Sequence, residues 1–217
     1  MAQTSFVFGL FGEGPTERDF LLPLLRRTFV ELLPGMDIYS EAVLPERGAD
    51  TFLDQVVSVA RQAYGYHLLI CHLDADAPSP DSIRARKFDP SVKAVEDARR
   101  QGAALIDVII PVIPVRMTEA WVLADFEAFR AAVGTKQSLD EARFSQKPDK
   151  VERIEHPKQI FEAALRNSRP RRSPLPREVF PRLAEEINLD RLRVVPAYRQ
   201  FLHEARNVLR SLHFLTQ

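Results

Sequence analysis

His67-Leu68-Leu69-Ile70-Cys71-His72-Leu73-Asp74-Ala75-Asp76 is an apolar run that ends in two carboxylates one residue apart, with Ala77-Pro78-Ser79-Pro80 directly after it. An apolar run this short, closed by prolines, reads as a strand buried on both faces, which is the habit of a parallel sheet. Side chains alternate along a strand, so His72, Asp74 and Asp76 are expected to point the same way. Two carboxylates held that close repel each other unless a proton or a cation sits between them. Hard oxygen ligands at the carboxyl end of a central strand favour Mg²⁺ or Mn²⁺ over a soft metal. The plainer alternative is turn chemistry, with one Asp capping the next turn and the other in solvent.

Working outward, the N-terminal side supplies two more strands. Ser5-Phe6-Val7-Phe8-Gly9-Leu10-Phe11 is aromatic and β-branched, and it breaks at Gly12-Glu13-Gly14-Pro15. Pro15 suits the first turn of a helix, with Thr16, Glu17 and Asp19 at its positive end. Phe20, Leu21, Leu24, Leu25 and Phe29 make one buried stripe, and the helix stops at Pro34-Gly35. Ile38 to Leu44 is a second strand. Asp50 or Thr51 caps a helix whose core face holds Phe52, Val56, Val59, Ala60 and Ala63.

On the C-terminal side, Pro78 to Pro90 is polar, with Arg84, Arg86 and Lys87, and reads as a surface loop. Ser91 to Gln101 is a short helix stopped by Gly102. Asp107 to Val115 is apolar but contains Pro111 and Pro114, which places this strand at a sheet edge or at least makes its ends irregular. A helix from Thr118 to Gly134 follows. Four strands alternating with four helices predict an α/β domain over residues 1–134, with a largely parallel, Rossmann-like four-stranded sheet flanked by helices. Residues 135–217 read as a basic, mainly helical extension packed on that domain. It comprises a polar stretch over 135–160, the Arg/Pro connector Arg166 to Arg177, and a helical tail from Pro181 to Phe214.

The 217 residues carry no net charge, but the charge is unevenly placed. Residues 1–142 hold 14 Lys/Arg against 21 Asp/Glu, a net −7, and residues 143–217 hold 16 against 9, a net +7. An acidic part beside a basic part fits a cation site paired with a surface for polyanions, or two halves that simply attract each other. One cysteine, Cys71, excludes an intramolecular disulfide and a Cys-based zinc site, and points to the cytoplasm. No apolar run approaches the roughly 20 residues that cross a bilayer, and Met1 to Ser5 lacks the basic start of a signal peptide, so no membrane partner is expected.

Ligand sites in parallel α/β sheets lie beyond the carboxyl ends of the strands. Three acidic clusters fall there: Glu13 after the first strand, Asp74 with Asp76 after the third, and Glu119 after the fourth, in Arg116-Met117-Thr118-Glu119. Glu13 and Glu119 also suit the plainer role of carboxylates in a first helical turn, and His72 that of a packed strand residue.

Gly12-Glu13-Gly14-Pro15-Thr16-Glu17 after an apolar strand, then Leu73-Asp74-Ala75-Asp76 after a later one, resembles the Toprim fold. That fold is shared by topoisomerases, bacterial primases and nucleases of the phage-resistance OLD type. Ile113-Pro114-Val115-Arg116-Met117-Thr118-Glu119-Ala120-Trp121-Val122-Leu123-Ala124-Asp125, with Glu155-His156-Pro157-Lys158, is similar to a family of small uncharacterised Toprim-like proteins. The resemblance implies Glu13 as acid/base and a metal ligand, Asp74 and Asp76 as Mg²⁺ or Mn²⁺ ligands, and Glu119 as the acid of a helix-opening motif. Glu17, His72 and Arg116 are further candidates at the same edge. The topoisomerase and primase branches carry large accessory domains for which this chain has no room, so the implied activity is cleavage of phosphodiester bonds in DNA or RNA. Phage defence, with a partner protein from the same defence system, is the implied setting. Arg166, Arg169, Arg171 and Arg172 are expected to contact phosphates, unless the connector is only a solvated loop. A rival of another class is a non-catalytic module that senses nucleotide or nucleic acid for a partner.

Overall fold

The computed structural model describes residues 4–12, 14–168 and 174–216, the side chains of 15–17 excepted. Strand β1 (Ser5–Phe11) leads into helix α1 (Pro15–Leu32), whose first position is a proline, where no intrahelical donor is lost. Strand β2 (Asp37–Ala42), helix α2 (Phe52–Gln62) and strand β3 (Leu68–His72) follow. Thr51 and Asp54 cap α2 reciprocally, each side chain accepting the other's backbone N–H. After α3 (Asp81–Ile83), a π-helical turn (Arg84–Phe88) and α4 (Asp89–Arg100), strand β4 (Ile109–Val112) completes the sheet.

The sheet order is β2-β1-β3-β4, and every pairing is parallel. The fold is therefore α/β. From β1 the chain winds first to β2 on one side, then crosses to β3 on the other. The crevice between the carboxyl ends of β1 and β3 is thus the point where the winding reverses. Phe11 stands opposite Cys71 in that pair, so Gly12 and His72 lead into the crevice together. β4 is an edge strand, the sheet position that suits Pro111. Leu69 and Leu73 donate to the carbonyls of Val108 and Val112, so Pro111, an odd position, turns its donor-less nitrogen outward.

The remaining elements are helical: α5 (Glu119–Val122), α6 (Phe126–Val133), α7 (Leu139–Ala142), a 3₁₀ turn (Pro148–Arg153), α8 (Pro157–Ser168), α9 (Pro176–Glu186), α10 (Leu189–Arg193) and α11 (Pro196–Ser211). Alternation splits the core in two. Phe11, Leu69 and Cys71 pack with Val56, Val59 and Ala60 of α2 and Val95 of α4. Phe6, Phe8, Leu10 and Ile70 pack with Phe29 of α1 and with Phe161, Phe180, Tyr198 and Phe201 of the C-terminal helices. Those helices thus form the covering layer of one sheet face. The Phe8 and Phe29 rings are 4.9 Å apart, and losing either would cost about 3–5 kcal/mol. Arg27 of α1 donates to the carbonyls of Ala184 and Ile187, closing the end of α9. Among the described residues no helix is long and apolar enough to cross a membrane.

Two segments differ from their sequence reading. Pro78 to Pro90 is not a loop throughout, because Ile83 and Phe88 are both buried. A wide π turn between them brings residues five apart toward one face, as an α-helix would not. The helix expected from Thr118 to Gly134 is two helices. Asp125 adopts an extended φ of −137°, its Oδ1 accepting from Ala128 N–H at 3.3 Å and its Oδ2 from Asn188 N–H at 2.9 Å. The break lets one carboxylate cap α6 and tie it to the chain before α10.

Candidate functional site

Past β3 the ladder to β4 continues without regular strand geometry: Leu73 N–H donates to Val112, Ala75 N–H to Pro114 and Asp76 N–H to Arg116, at 3.2, 3.1 and 2.9 Å. His72 is 1% exposed and Asp74 17% exposed at the crevice. Three groups converge on Asp74 Oδ1: Thr118 N–H at 2.8 Å, the Thr118 hydroxyl at 3.1 Å and His72 Nε2 at 3.3 Å. Asp74 Oδ2 takes no hydrogen bond from the described residues. Thr118 stands where a helix cap would stand before α5, yet its side chain makes no cap bond and serves Asp74 instead.

The Thr118 hydroxyl also lies 3.0 Å from His72 Nε2. It has one proton, given to Asp74, so the network assigns the imidazole proton to Nε2. His72 Nδ1 is buried and unpartnered among the described residues. It lies near Gly12, where an added Cβ would come within 3.7 Å of Nδ1 and 3.3 Å of Arg18 Cγ. Arg18 in turn donates to the Gly12 carbonyl at 3.1 Å, so the missing side chain lets α1 close over the strand end.

Alternation places His72 and Asp74 together as expected, but it does not govern Asp76. Asp76 is exposed and has φ +51°, and its bonding partner Arg116 has φ +63°. Both left-handed residues stand at the same edge, and Arg116 N–H returns a bond to Ala77 at 3.1 Å. Glu119 is buried in the first turn of α5, one residue after Thr118. Glu13 lies outside the described residues, as does the side chain of Glu17. Arg166 is exposed on α8, 3.9 Å from Glu162, whereas Arg169, Arg171 and Arg172 lie outside the described residues.

Among the described residues no three His, Cys, Asp or Glu gather closely enough to hold a metal ion. The expected set includes Glu13, one residue beyond Gly12. The residues that are described suit a hard cation in donor type, with one anchored carboxylate whose second oxygen is uncommitted and one exposed carboxylate at the same edge. Mg²⁺ is commonly held by one or two carboxylates and its own waters.

Nearby groups are structural. Burial pushes the Cys71 thiol far up, so it is not a nucleophile. Trp121 packs edge-on against Tyr198, as a core residue should. Its Nε1 donates to Glu152, which also accepts from Ala197 N–H at the start of α11. Burial raises the Glu152 carboxyl above its ordinary value despite those bonds.

Residues 12–204 match the model of a family described as Domain of unknown function (DUF4276). The chain belongs to that family. The DUF4276 match begins at Gly12, on the crevice, and ends at Glu204 of α11, which pairs with Arg84 at 2.6 Å. It therefore spans the crevice and the helices that cover the sheet. No curated protein and no solved structure matches the chain.

Proposed function

We propose that this protein cleaves phosphodiester bonds of nucleic acid with a divalent cation, Mg²⁺ or Mn²⁺, held by Asp74 and Asp76. The observation that carries the reading is the anchoring of Asp74 through Oδ1 alone, at the crevice where the winding of the sheet reverses. A bound cation would polarise a phosphoryl oxygen and favour charge on the leaving group. Thr118 orients the carboxylate toward that cation. Glu13, two residues past the end of β1 in the sequence, takes the proton of the attacking water in this proposal. Arg166, with Arg169, Arg171 and Arg172 of the connector, contacts the nucleic-acid backbone. The resemblance to OLD-type nucleases extends the proposal to phage defence in the cytoplasm, with a partner protein.

The test is incubation with supercoiled plasmid, linear duplex DNA and RNA, in Mg²⁺ and in Mn²⁺, for wild type and Asp74→Asn. Cation-dependent cleavage that the variant loses is the expected result. Binding of nucleic acid with no turnover in either cation returns the protein to the sensor reading.

A further inference from the structure

Arg116 carries two penalties in one residue. Its φ of +63° is a left-handed conformation that an L side chain of this size adopts only at a cost. Its Nε is buried and has no hydrogen-bond partner among the described residues. A buried guanidinium N–H without an acceptor is unusual, since the group is a strong donor that cannot be neutralised. Local structure offsets neither penalty. The Arg116 backbone gives its N–H to Ala77 and its carbonyl to Asp76, and a glycine would make both bonds. Glycine would also remove both penalties at once.

The position of the residue says what the arginine is for. Its own carbonyl holds Asp76, and Thr118, two residues on, holds Asp74. A pair of carboxylates repels a phosphodiester that approaches them. An arginine whose backbone is held at the same edge can counter that repulsion, and a planar fork of N–H donors matches two phosphate oxygens.

We propose that Arg116 is a phosphate-binding residue, its terminal guanidinium N–H groups taking two non-bridging oxygens of a phosphate seated beside Asp74 and Asp76. The inference rests on the nuclease reading and names the phosphate contact within it. The strained backbone is then the consequence of keeping an arginine where the turn favours glycine.

Equilibrium binding of inorganic phosphate and of a short oligothymidylate, each with and without Mn²⁺, is measured beside the melting temperature. Arg116→Gly should melt roughly 2–4 °C higher, as relief of about one left-handed residue implies for a chain of this size. It should also bind roughly tenfold or more weakly, as loss of a charge-assisted contact implies. Arg116→Gln keeps the strain and removes the charge, so it should bind weakly without the gain in melting temperature. Loss confined to one probe still supports the contact and shows whether a free phosphate or a nucleic-acid backbone is its source. Wild-type affinity for both probes in either variant overturns the proposal. Wild type that binds no Mn²⁺ would overturn the nuclease reading instead, while the arms without cation still decide the role of Arg116.

Discussion

Thr118 holds Oδ1 of Asp74 twice, through its backbone N–H at 2.8 Å and its hydroxyl at 3.1 Å. Thr118→Val keeps the shape and the backbone bond but removes the hydroxyl that also meets His72. If Asp74 is a cation ligand, Mn²⁺ affinity should fall by roughly tenfold, the lower end of what loss of a supporting hydrogen bond to a ligand costs. Thr118→Ser should restore it, which a purely packing role for the threonine methyl would not. Calorimetric titration with Mn²⁺ measures both variants, and equal affinity in wild type and Thr118→Val would assign the hydroxyl to packing.

Tyr198 ties α11 to α1. Thr28 gives its hydroxyl proton to the Leu24 carbonyl at 2.9 Å, so in the 2.7 Å contact Tyr198 is the donor. Burial pushes the phenol up to about 12, which keeps that proton in place through neutral pH. Tyr198→Phe should therefore cost about 1 kcal/mol in urea unfolding and leave the edge-on contact with Trp121 intact. Tyr198→Ala removes the ring as well and should cost about 3–5 kcal/mol.

Glu152 makes stability depend on pH. Burial raises its carboxyl above the ordinary 4.5, opposed in part by bonds from Ala197, Trp121 and Val115 and by the charge of Arg199. A folded state that binds the proton more tightly is favoured below the ordinary value, and that advantage is lost as pH rises through the raised value. Glu152→Gln cannot ionise. Unfolding free energy, wild type minus variant, should therefore fall as pH rises from 4.5 toward neutrality. A difference that stays flat or rises would show that the bonds from α11 outweigh burial.

The basic connector predicts a salt effect. Replacing Arg166, Arg169, Arg171 and Arg172 with Ala should flatten the dependence of nucleic-acid affinity on salt, by about 0.7–0.9 in log–log slope for each phosphate that is no longer neutralised. An unchanged slope would make the segment an ordinary solvated stretch.

The sheet was legible because its strands are the apolar runs, and Pro111 marked the edge by chemistry alone. Thr51 and the core face of α2 were legible for the same local reason. The misses depend on partners far along the chain. Asp125 breaks a helix because Asn188 needs an acceptor, and Glu152 looks like one more charge in a polar stretch until Trp121 and Ala197 reach it. In the crevice the carboxylates were visible from Leu73-Asp74-Ala75-Asp76, but Thr118 was not. A threonine before a short helix reads as a cap, and only the ladder from β3 to β4 brings its hydroxyl to Asp74.

Asp74 and Glu13 should fail in different ways. Asp74→Asn keeps the size and can still accept from Thr118 at Oδ1, but it removes a charge that a hard cation needs. Its Mn²⁺ affinity should fall, and raised Mn²⁺ should restore part of the cleavage. Glu13→Gln keeps the shape yet cannot take a proton, so excess Mn²⁺ should not rescue it. Its rate at saturating cation should drop by about 10²–10⁴, the usual worth of general acid–base catalysis. Each substitution removes one negative charge, and at Asp74 that relieves repulsion with Asp76 when no cation is bound. Neither should lower the melting temperature, and that measurement precedes the rates. Wild-type cleavage by Glu13→Gln on every substrate would remove the proton-transfer role from Glu13. Rescue of Glu13→Gln by Mn²⁺ would make it a ligand alone.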